Sequence, residues 1–188
     1  MKLDLRFSDR PLEALWCQAV ATLVFQRPDI ITEALSGLNK KMTGALANVL
    51  EGEILTGDRG ENFLLATQNT IRADKLLLHG LGPISEFDTK VLQEEIIELG
   101  STLNKMGVKE FGVHIPVVNG FETEYSSHLE LSARNLVKAF HTNHKEDPNF
   151  ILKIVFSVEK NFMDILDSVV NRLREYFEQI LEVSIICR

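Results

Sequence analysis

The sequence has 188 residues, of which 45% are hydrophobic and 25% are charged, and a chain of this length can bury one substantial core. These fractions are ordinary for a globular protein and argue against a disordered or fibrous one. With 27 acidic and 20 basic residues the formal net charge is -7, which disfavours binding to nucleic acid or to anionic membranes, since both need clustered Lys and Arg.

The N-terminal residues and the cysteines indicate the cellular compartment of the protein. The first residues alternate charged and apolar side chains, unlike a signal peptide, and no stretch approaches the roughly 20 apolar residues that span a bilayer. We therefore expect a cytoplasmic protein with no membrane partner. Cys17 and Cys187 match no metal-binding spacing. We expect two buried free thiols, with a disulfide between them as the alternative.

Two strands are predicted near the N-terminus. Leu3, Leu5 and Phe7 alternate with polar residues, which indicates a strand with one buried face. Residues 15–25 form an apolar, partly β-branched run, which is typical of a central strand buried on both faces.

Two helices are predicted next. Asp29 is a candidate N-cap, and apolar residues at helical spacing follow it. Gly37 and Gly44 should interrupt the first helix, and a second, short helix should close at Gly52. Residues 56–60 have turn composition and should join two extended pieces.

The middle of the chain alternates strands and helices. Strands are predicted over 63–66 and 75–79. Asp88 or Thr89 should open a clear amphipathic helix, and Gly107 should end it.

The last third of the chain continues this alternation. A strand is predicted over 111–118, and Ser127 with Glu130 matches a capping box that would open the next helix. The remaining predicted elements are a polar loop, a strand, a long apolar helix and a short closing strand, over 142–149, 150–158, 161–182 and 183–187. The pattern predicts one domain over residues 1–188, a three-layer αβα fold with a mixed, mainly parallel sheet.

The residues at two of these junctions resemble a known family. Residues 43–61, TGALANVLEGEILTGDRGE, resemble the helix, GE(F/L)-x-G-K-x-G turn and apolar strand of the N-terminal domain of M17 leucyl aminopeptidases. Residues 75–82, KLLLHGLG, resemble that family's R-x-L-L-x-G-L-G. The likeness extends over about residues 1–160, and its most specific part is 43–82.

In that family the domain precedes a larger catalytic domain with two metal ions and an NTDAEGR signature, and this sequence contains no such motif. The resemblance therefore implies no catalytic residue, no metal ligand, no cofactor and no aminopeptidase activity from this chain alone. It implies a non-catalytic binding or assembly module that pairs with itself or with another protein, such as a separately encoded peptidase.

A looser resemblance connects the chain with macro domains, to which the aminopeptidase N-terminal domain is itself similar. Residues 79–83, HGLGP, resemble the macro-domain H-x-V-G-P, and 116–121, PVVNGF, resemble the P-A-I-S-T-G loop that holds phosphates in ADP-ribose binders. The resemblance implies an alternative function, a binder or hydrolase of an ADP-ribose-like or nucleotide ligand. The candidate ligand-binding residues are His79, Gly80, Gly82, Asn119 and Gly120.

Most other polar candidates have a simple structural explanation. Gly80 and Gly82 would also allow the chain to turn sharply where the strand ends. His114 lies inside an apolar strand and is interpreted as a core or pocket residue. His141 and His144 are three residues apart without a third ligand at metal spacing, and we interpret them as solvated surface histidines.

Four glutamates and the last helix have simple explanations too. Glu94, Glu95, Glu122 and Glu124 fall where solvated faces and loops are expected, and they give no sign of acid–base chemistry. The last helix is more apolar than one side of a small sheet requires. Core packing explains most of this, and a partner interface is the alternative.

Overall fold

The structure is a computed structural model that describes residues 1–26, 33–42, 44–51 and 54–187. In this part of the chain seven strands form one sheet, in the order β3-β4-β2-β5-β6-β1-β7. The strands are β1 Lys2–Ser8, β2 Ala19–Val24, β3 Asn62–Ala66, β4 Lys75–Gly80, β5 Glu110–His114, β6 Ile151–Ser157 and β7 Glu182–Cys187. Every neighbouring pair is parallel except β3 with β4. The predicted mixed, mainly parallel sheet is confirmed.

Helices lie on both faces of the sheet. They are α1 Glu33–Lys41, α2 Ala45–Glu51, α3 Thr89–Lys105, α4 Tyr125–His144 and α5 Leu166–Phe177. Apolar residues of α3, α4 and α5 share one core cluster with Leu5, Leu23 and Phe111 of the sheet. Residues of α1 and α2 form a second cluster with Val20 and Leu76 on the opposite face. The result is the predicted three-layer arrangement.

The alternating pattern of the first strand is confirmed. Leu3, Leu5 and Phe7 are buried in the larger core, and Phe7 stacks on Phe156 of β6 with 5.1 Å between ring centroids. On the other face of β1, Arg6 donates to both carboxylate oxygens of Asp4, at 2.9 and 2.7 Å. The strand therefore has one apolar face and one polar face, because successive side chains point to opposite sides of the sheet.

The α3 boundaries were also predicted correctly. The Asp88 carboxylate accepts a hydrogen bond from the backbone N–H of Val91 at 2.7 Å, as an N-cap does. Gly107, with φ +69°, follows the last turn and ends the helix in the left-handed region. The predicted N-cap Asp29 and the helix end at Gly52 lie outside the described residues.

Several predicted boundaries in the first half were wrong. The central strand is shorter than 15–25, because residues 12–14 form a 3-10 turn and pairing begins only at Ala19. Gly37 lies inside α1 and does not interrupt it. Within residues 56–60 the turn is at 59–60, and the strand β3 follows it, whereas the described residues directly before it, 54–58, form no strand.

In the second half, the predicted capping box at Ser127 and Glu130 is wrong. The 3-10 turn at 122–124 leads directly into α4, and the Tyr125 N–H donates to the Glu122 carbonyl. The first amide of the helix is thereby hydrogen-bonded without a side-chain cap.

Three further bounds differ from the prediction. The strand predicted over 111–118 ends at His114, and α4 runs to His144 into the predicted loop. The long last helix is a 3-10 segment over 160–165 followed by α5, which ends at Phe177. In each case amphipathic spacing located the element, whereas its ends depend on pairing and packing partners far away in sequence.

Both cysteines are free, and Cys187 is exposed, which corrects its predicted burial. Cys17 is half-buried, and burial raises the pKa of its thiol to about 11. Over the described ranges, no helix has the length and apolar character needed to cross a bilayer.

Candidate functional site

The carboxyl ends of the parallel strands share one edge of the sheet. Ser8, Val24, Gly80, His114 and Ser157 are the last residues of β1, β2, β4, β5 and β6. Open α/β sheets bind ligands outside this edge, in the crevice between strand ends. The edge has two differently built parts, one at the end of β4 and one around the ends of β1, β5 and β6.

The end of β4 holds a buried polar cluster, here called the His79 network, made of Arg59, Asn62, His79 and Glu95. The His79 side chain is fully buried, with Nδ1 2.9 Å from Asn62 Oδ1 and Nε2 2.8 Å from Glu95 Oε2. The Arg59 Nε–H donates to Glu95 Oε1 at 2.8 Å. Arg59 also contacts Glu94 at the surface. The prediction that Glu95 is solvated is wrong, since α3 turns this carboxylate toward the sheet.

The orientation of Asn62 fixes where one proton of this network lies. Its Nδ2 donates to the Gly60 carbonyl at 3.1 Å, so its Oδ1 faces His79 and accepts the Nδ1–H. Nε2 then faces Glu95 Oε2 at 2.8 Å. Burial lowers the pKa of His79, and the hydrogen bond and negative charge of Glu95 oppose this by raising it. The four residues of the network therefore bond to one another, and His79 is not an exposed acid or base.

The glycines after His79 make close contact with the preceding loop. The amides of Gly80, Leu81 and Gly82 donate to the carbonyls of Glu61, Val24 and Gly57, at 2.8, 2.7 and 3.0 Å. A Cβ on Gly80 would lie 1.9 Å from the Asp58 carbonyl oxygen. This close approach of two backbone segments explains why residue 80 is a glycine. The backbone amides of residues 80–82 make their hydrogen bonds within the protein.

The structure brings the two predicted ligand loops to the same edge. Phe87 contacts Phe121 edge-on, with ring centroids 5.4 Å apart, and so connects the segment after β4 with the segment after β5. Asn119 and Gly120 are exposed, and Gly120 has φ +88° and donates its N–H to Glu122 Oε2 at 2.8 Å. Ligand binding by His79, Gly80, Gly82, Asn119 and Gly120 stays a prediction.

The other part of the edge is open. A cavity of about 780 Å³, here called the edge cleft, lies outside the ends of β1, β5 and β6. The polar residues that line it include Asp9, Glu13, His114, Ser157, Lys160 and Asn161. Its volume is in the range of small-molecule sites, and its wall mixes apolar residues with hydrogen-bonding groups.

His114 is the buried titratable group of the edge cleft. Its side chain is 5% exposed, and its Nδ1 lies 3.3 Å from Thr22 Oγ1 of β2. Burial lowers its pKa to about 4, so the ring is neutral at neutral pH and presents one donor and one acceptor. The sequence interpretation of His114 as a core or pocket residue is confirmed.

None of the five residues predicted to bind a ligand lines the edge cleft. Sequence reasoning missed Asp9, Ser157 and Lys160. A usable signal was present, since Ser8-Asp9, His114 and Ser157 are polar residues placed where strands with buried apolar side chains end. The topology that brings these strand ends together was the missing information, because β1 and β6 are neighbours despite their distance in sequence.

No group of three or more His, Cys, Asp or Glu in the described part of the chain is arranged to hold a metal ion. His144 is not the solvated residue that was predicted. Its Nε2 lies 3.0 Å from Asn104 Oδ1, and its ring stacks on Phe150 with 3.8 Å between centroids. It joins the C-terminal end of α4 to α3 and to the start of β6.

Comparisons with known proteins give a consistent family signal. The model of the cytosol aminopeptidase family, N-terminal domain, matches residues 22–145. A protein named "Probable cytosol aminopeptidase" from Rippkaea orientalis is 24% identical over 148 residues, which are 78% of this chain and 30% of that protein. The chain spans about a quarter of the length of other such relatives.

Solved structures show the same fold. A tomato leucine aminopeptidase mutant aligns with a TM-score of 0.64 at 12% identity, covering 82% of this chain and 32% of that one. A Trypanosoma brucei macrodomain in complex with ADP-ribose aligns with a TM-score of 0.57 at 12% identity, covering 92% of this chain and 68% of that one. At these identities the likeness concerns the fold alone.

Proposed function

Because this chain belongs to the cytosol aminopeptidase family by its N-terminal domain, we propose that it is a non-catalytic binding module that does not hydrolyse peptides by itself. The observation that carries the proposal is the edge cleft, a cavity of about 780 Å³ at the edge of the sheet where this class of fold holds ligands. The family name also supports a cytoplasmic location. Fold alone does not fix function, so the proposal depends on the cleft.

The cleft suits a polar small molecule. His114 is neutral and has one ring nitrogen left for a ligand, because its Nδ1 faces Thr22. Ser157 and Lys160 add a hydroxyl and a positive charge to the wall, which also carries the carboxylates of Asp9 and Glu13. The Trypanosoma brucei macrodomain, which has the same fold, has been solved in complex with ADP-ribose and in complex with ADP. We propose an ADP-ribose-like or nucleotide ligand for this chain, with the Lys160 ammonium near its anionic part.

Calorimetric titration with ADP-ribose and with ADP tests this ligand. Saturable binding that Lys160→Ala weakens by about tenfold or more would support the cleft as the site. The matched control is Lys105→Ala, which removes the same charge at the end of α3 and should leave the affinity unchanged. Gly120→Ala reports on the predicted loop, and an effect there without one at Lys160 would move the site to that loop. Absence of heat with folded protein would contradict a nucleotide ligand.

A leucyl chromogenic substrate with manganese tests the absence of peptidase activity. We expect no turnover above the buffer rate from the purified chain. Turnover that copurifies with the chain through two chromatographic steps would contradict the proposal that this module binds without cutting.

A second candidate is assembly with itself or with another protein through the β3 edge, one of the two edges of the sheet formed by the described strands. β3 pairs only with β4 among the described strands, and Leu64 on it is 50% exposed. Unpaired strand edges with apolar side chains favour strand addition. Sedimentation equilibrium would show a concentration-dependent dimer that Leu64→Lys abolishes and that Ile151→Lys, at an exposed apolar position on β6, leaves intact. A monomer at all concentrations would contradict self-association.

A further inference from the structure

A groove runs between α4 and the end of α5, on the face of the sheet opposite α1 and α2. It consists of two adjoining cavities of about 410 and 60 Å³, which share Arg134, Lys138 and Tyr176 in their walls. We call it the α4–α5 groove. It is separate from the edge cleft and shares no lining residue with it.

The wider end of the groove is basic. The Arg134 guanidinium lies 4.3 Å from the centre of the Tyr176 ring, and its Nη2 is 2.5 Å from Glu130 Oε1. Arg172 binds the other oxygen of Glu130. Lys138 is exposed, and its ammonium has no ion-pair partner within the described part of the chain. Glu130 is the one carboxylate among the described lining residues, so positive charge is in excess.

The narrower end of the groove is apolar. Val137, Phe177 and Leu181 line it, and Ile180 is 46% exposed beside them. Tyr176, 36% exposed, lies between the two ends and supports Arg134 with the face of its ring. The surface thus places an apolar recess directly next to unneutralised positive charge.

This local charge is opposite in sign to that of the whole chain, which has a formal net charge of -7. A long polyanion such as nucleic acid would be repelled by the rest of the surface, whereas a short segment contacts only the groove. An occupant that fits needs carboxylates for Arg134 and Lys138 and an adjacent aliphatic side chain for the recess. An isolated inorganic anion would leave the apolar part of the groove unused.

We propose that the α4–α5 groove binds a peptide segment of a partner protein in which carboxylates lie next to an aliphatic side chain. The Lys138 ammonium and the Arg134 guanidinium pair with the carboxylates, and the aliphatic side chain covers Ile180. This site is independent of the edge cleft, and the two proposals can fail separately.

The test uses fluorescein-labelled tetrapeptides that arrange two glutamates and two leucines in every order, measured by fluorescence anisotropy. At least one order should bind saturably, and its glutamine counterpart should bind about tenfold more weakly or not at all. Lys138→Glu should weaken binding by at least about tenfold, and Ile180→Ser should also weaken it. The matched control is Lys40→Glu, which makes the same charge change on α1, on the other side of the sheet, and should leave the affinity unchanged.

The proposal is overturned if no order binds, if the glutamine peptides bind equally well, or if Lys138→Glu and Lys40→Glu have equal effects. Displacement of the peptide by inorganic phosphate or by oligo-dT at equal concentration would also overturn it. So would a dimer of the chain that Lys138→Glu dissociates, since a second copy would then occupy the groove. Circular dichroism melting checks that each variant is folded, and Lys138→Gln replaces Lys138→Glu if the latter is unstable.

Discussion

Two histidines at the same edge of the sheet have opposite surroundings. His79, at the end of β4, is fully buried and bonded at both ring nitrogens, by Asn62 and Glu95. His114, two strands away at the end of β5, has Thr22 at one nitrogen and borders the edge cleft. The difference indicates that the β4 end of the edge is built for stability, and that the β5, β6 and β1 ends are available to a ligand.

The largest effect should come from breaking the His79 network. Glu95→Ala removes the carboxylate that bonds His79 and leaves its buried Nε2 without a partner. A hydrogen bond to a carboxylate contributes about 1.5–3 kcal/mol, and Glu95 makes two, to His79 and to Arg59, so we expect a loss of about 3–5 kcal/mol in the free energy of unfolding, measured by urea denaturation. The control is Glu94→Ala on the same helix, where the exposed carboxylate should matter far less. Equal losses for the two variants would show that the network contributes nothing specific.

Low pH should lower the stability of the protein through His114, which borders the edge cleft. Burial lowers its folded-state pKa to about 4 from the ordinary value of 6.5, so the unfolded state binds more protons between these values. Stability is therefore retained above pH 6.5 and lost as the pH falls toward 4, by roughly 3 kcal/mol at about 1.4 kcal/mol per pKa unit.

Urea denaturation at several pH values checks the assignment to His114. In His114→Gln the decrease between pH 6.5 and 4 should shrink by that amount. Thr22→Val is the control, because it removes the hydroxyl contact but keeps the buried ring, and its decrease should stay as large as in the unchanged protein. A His114→Gln profile parallel to that of the unchanged protein would assign the acid sensitivity to other groups.

A smaller effect is expected from the glycine at the end of β4. In Gly80→Ala the new methyl group would meet the Asp58 carbonyl oxygen at 1.9 Å, and overpacking of this kind costs about 1–3 kcal/mol. Gly120→Ala is the comparison, since its Cβ would meet no atom within 4 Å and only its positive φ opposes alanine, at about 1–2 kcal/mol. Thermal unfolding of both variants ranks them, and a smaller loss for Gly80→Ala would contradict the close approach at β4.

The same edge shows what the sequence could predict. Periodicity and glycines were sufficient for β1, β4, β7 and both ends of α3, because those signals are local. The burial of Glu95 could not be predicted, since it depends on α3 crossing the end of β4 and on Arg59 reaching it from a separate loop. The edge cleft was missed for the same reason. Its walls come from strand ends that are distant in sequence and adjacent only in the folded sheet.

The smallest stability effect should come from the cleft wall. Lys160 is exposed at the start of the 3-10 segment that follows β6, and removing an exposed side chain of this kind changes stability by less than about 0.5 kcal/mol. Lys160→Ala should therefore unfold at the same urea concentration as the unchanged protein, while its affinity for ADP-ribose falls. A change in affinity without a change in stability is expected for a side chain that contacts a ligand and does not stabilise the fold. A loss of stability at Lys160 as large as that of Gly80→Ala would mean that both parts of the edge are structural, and the contrast between the two histidines would then have no functional meaning.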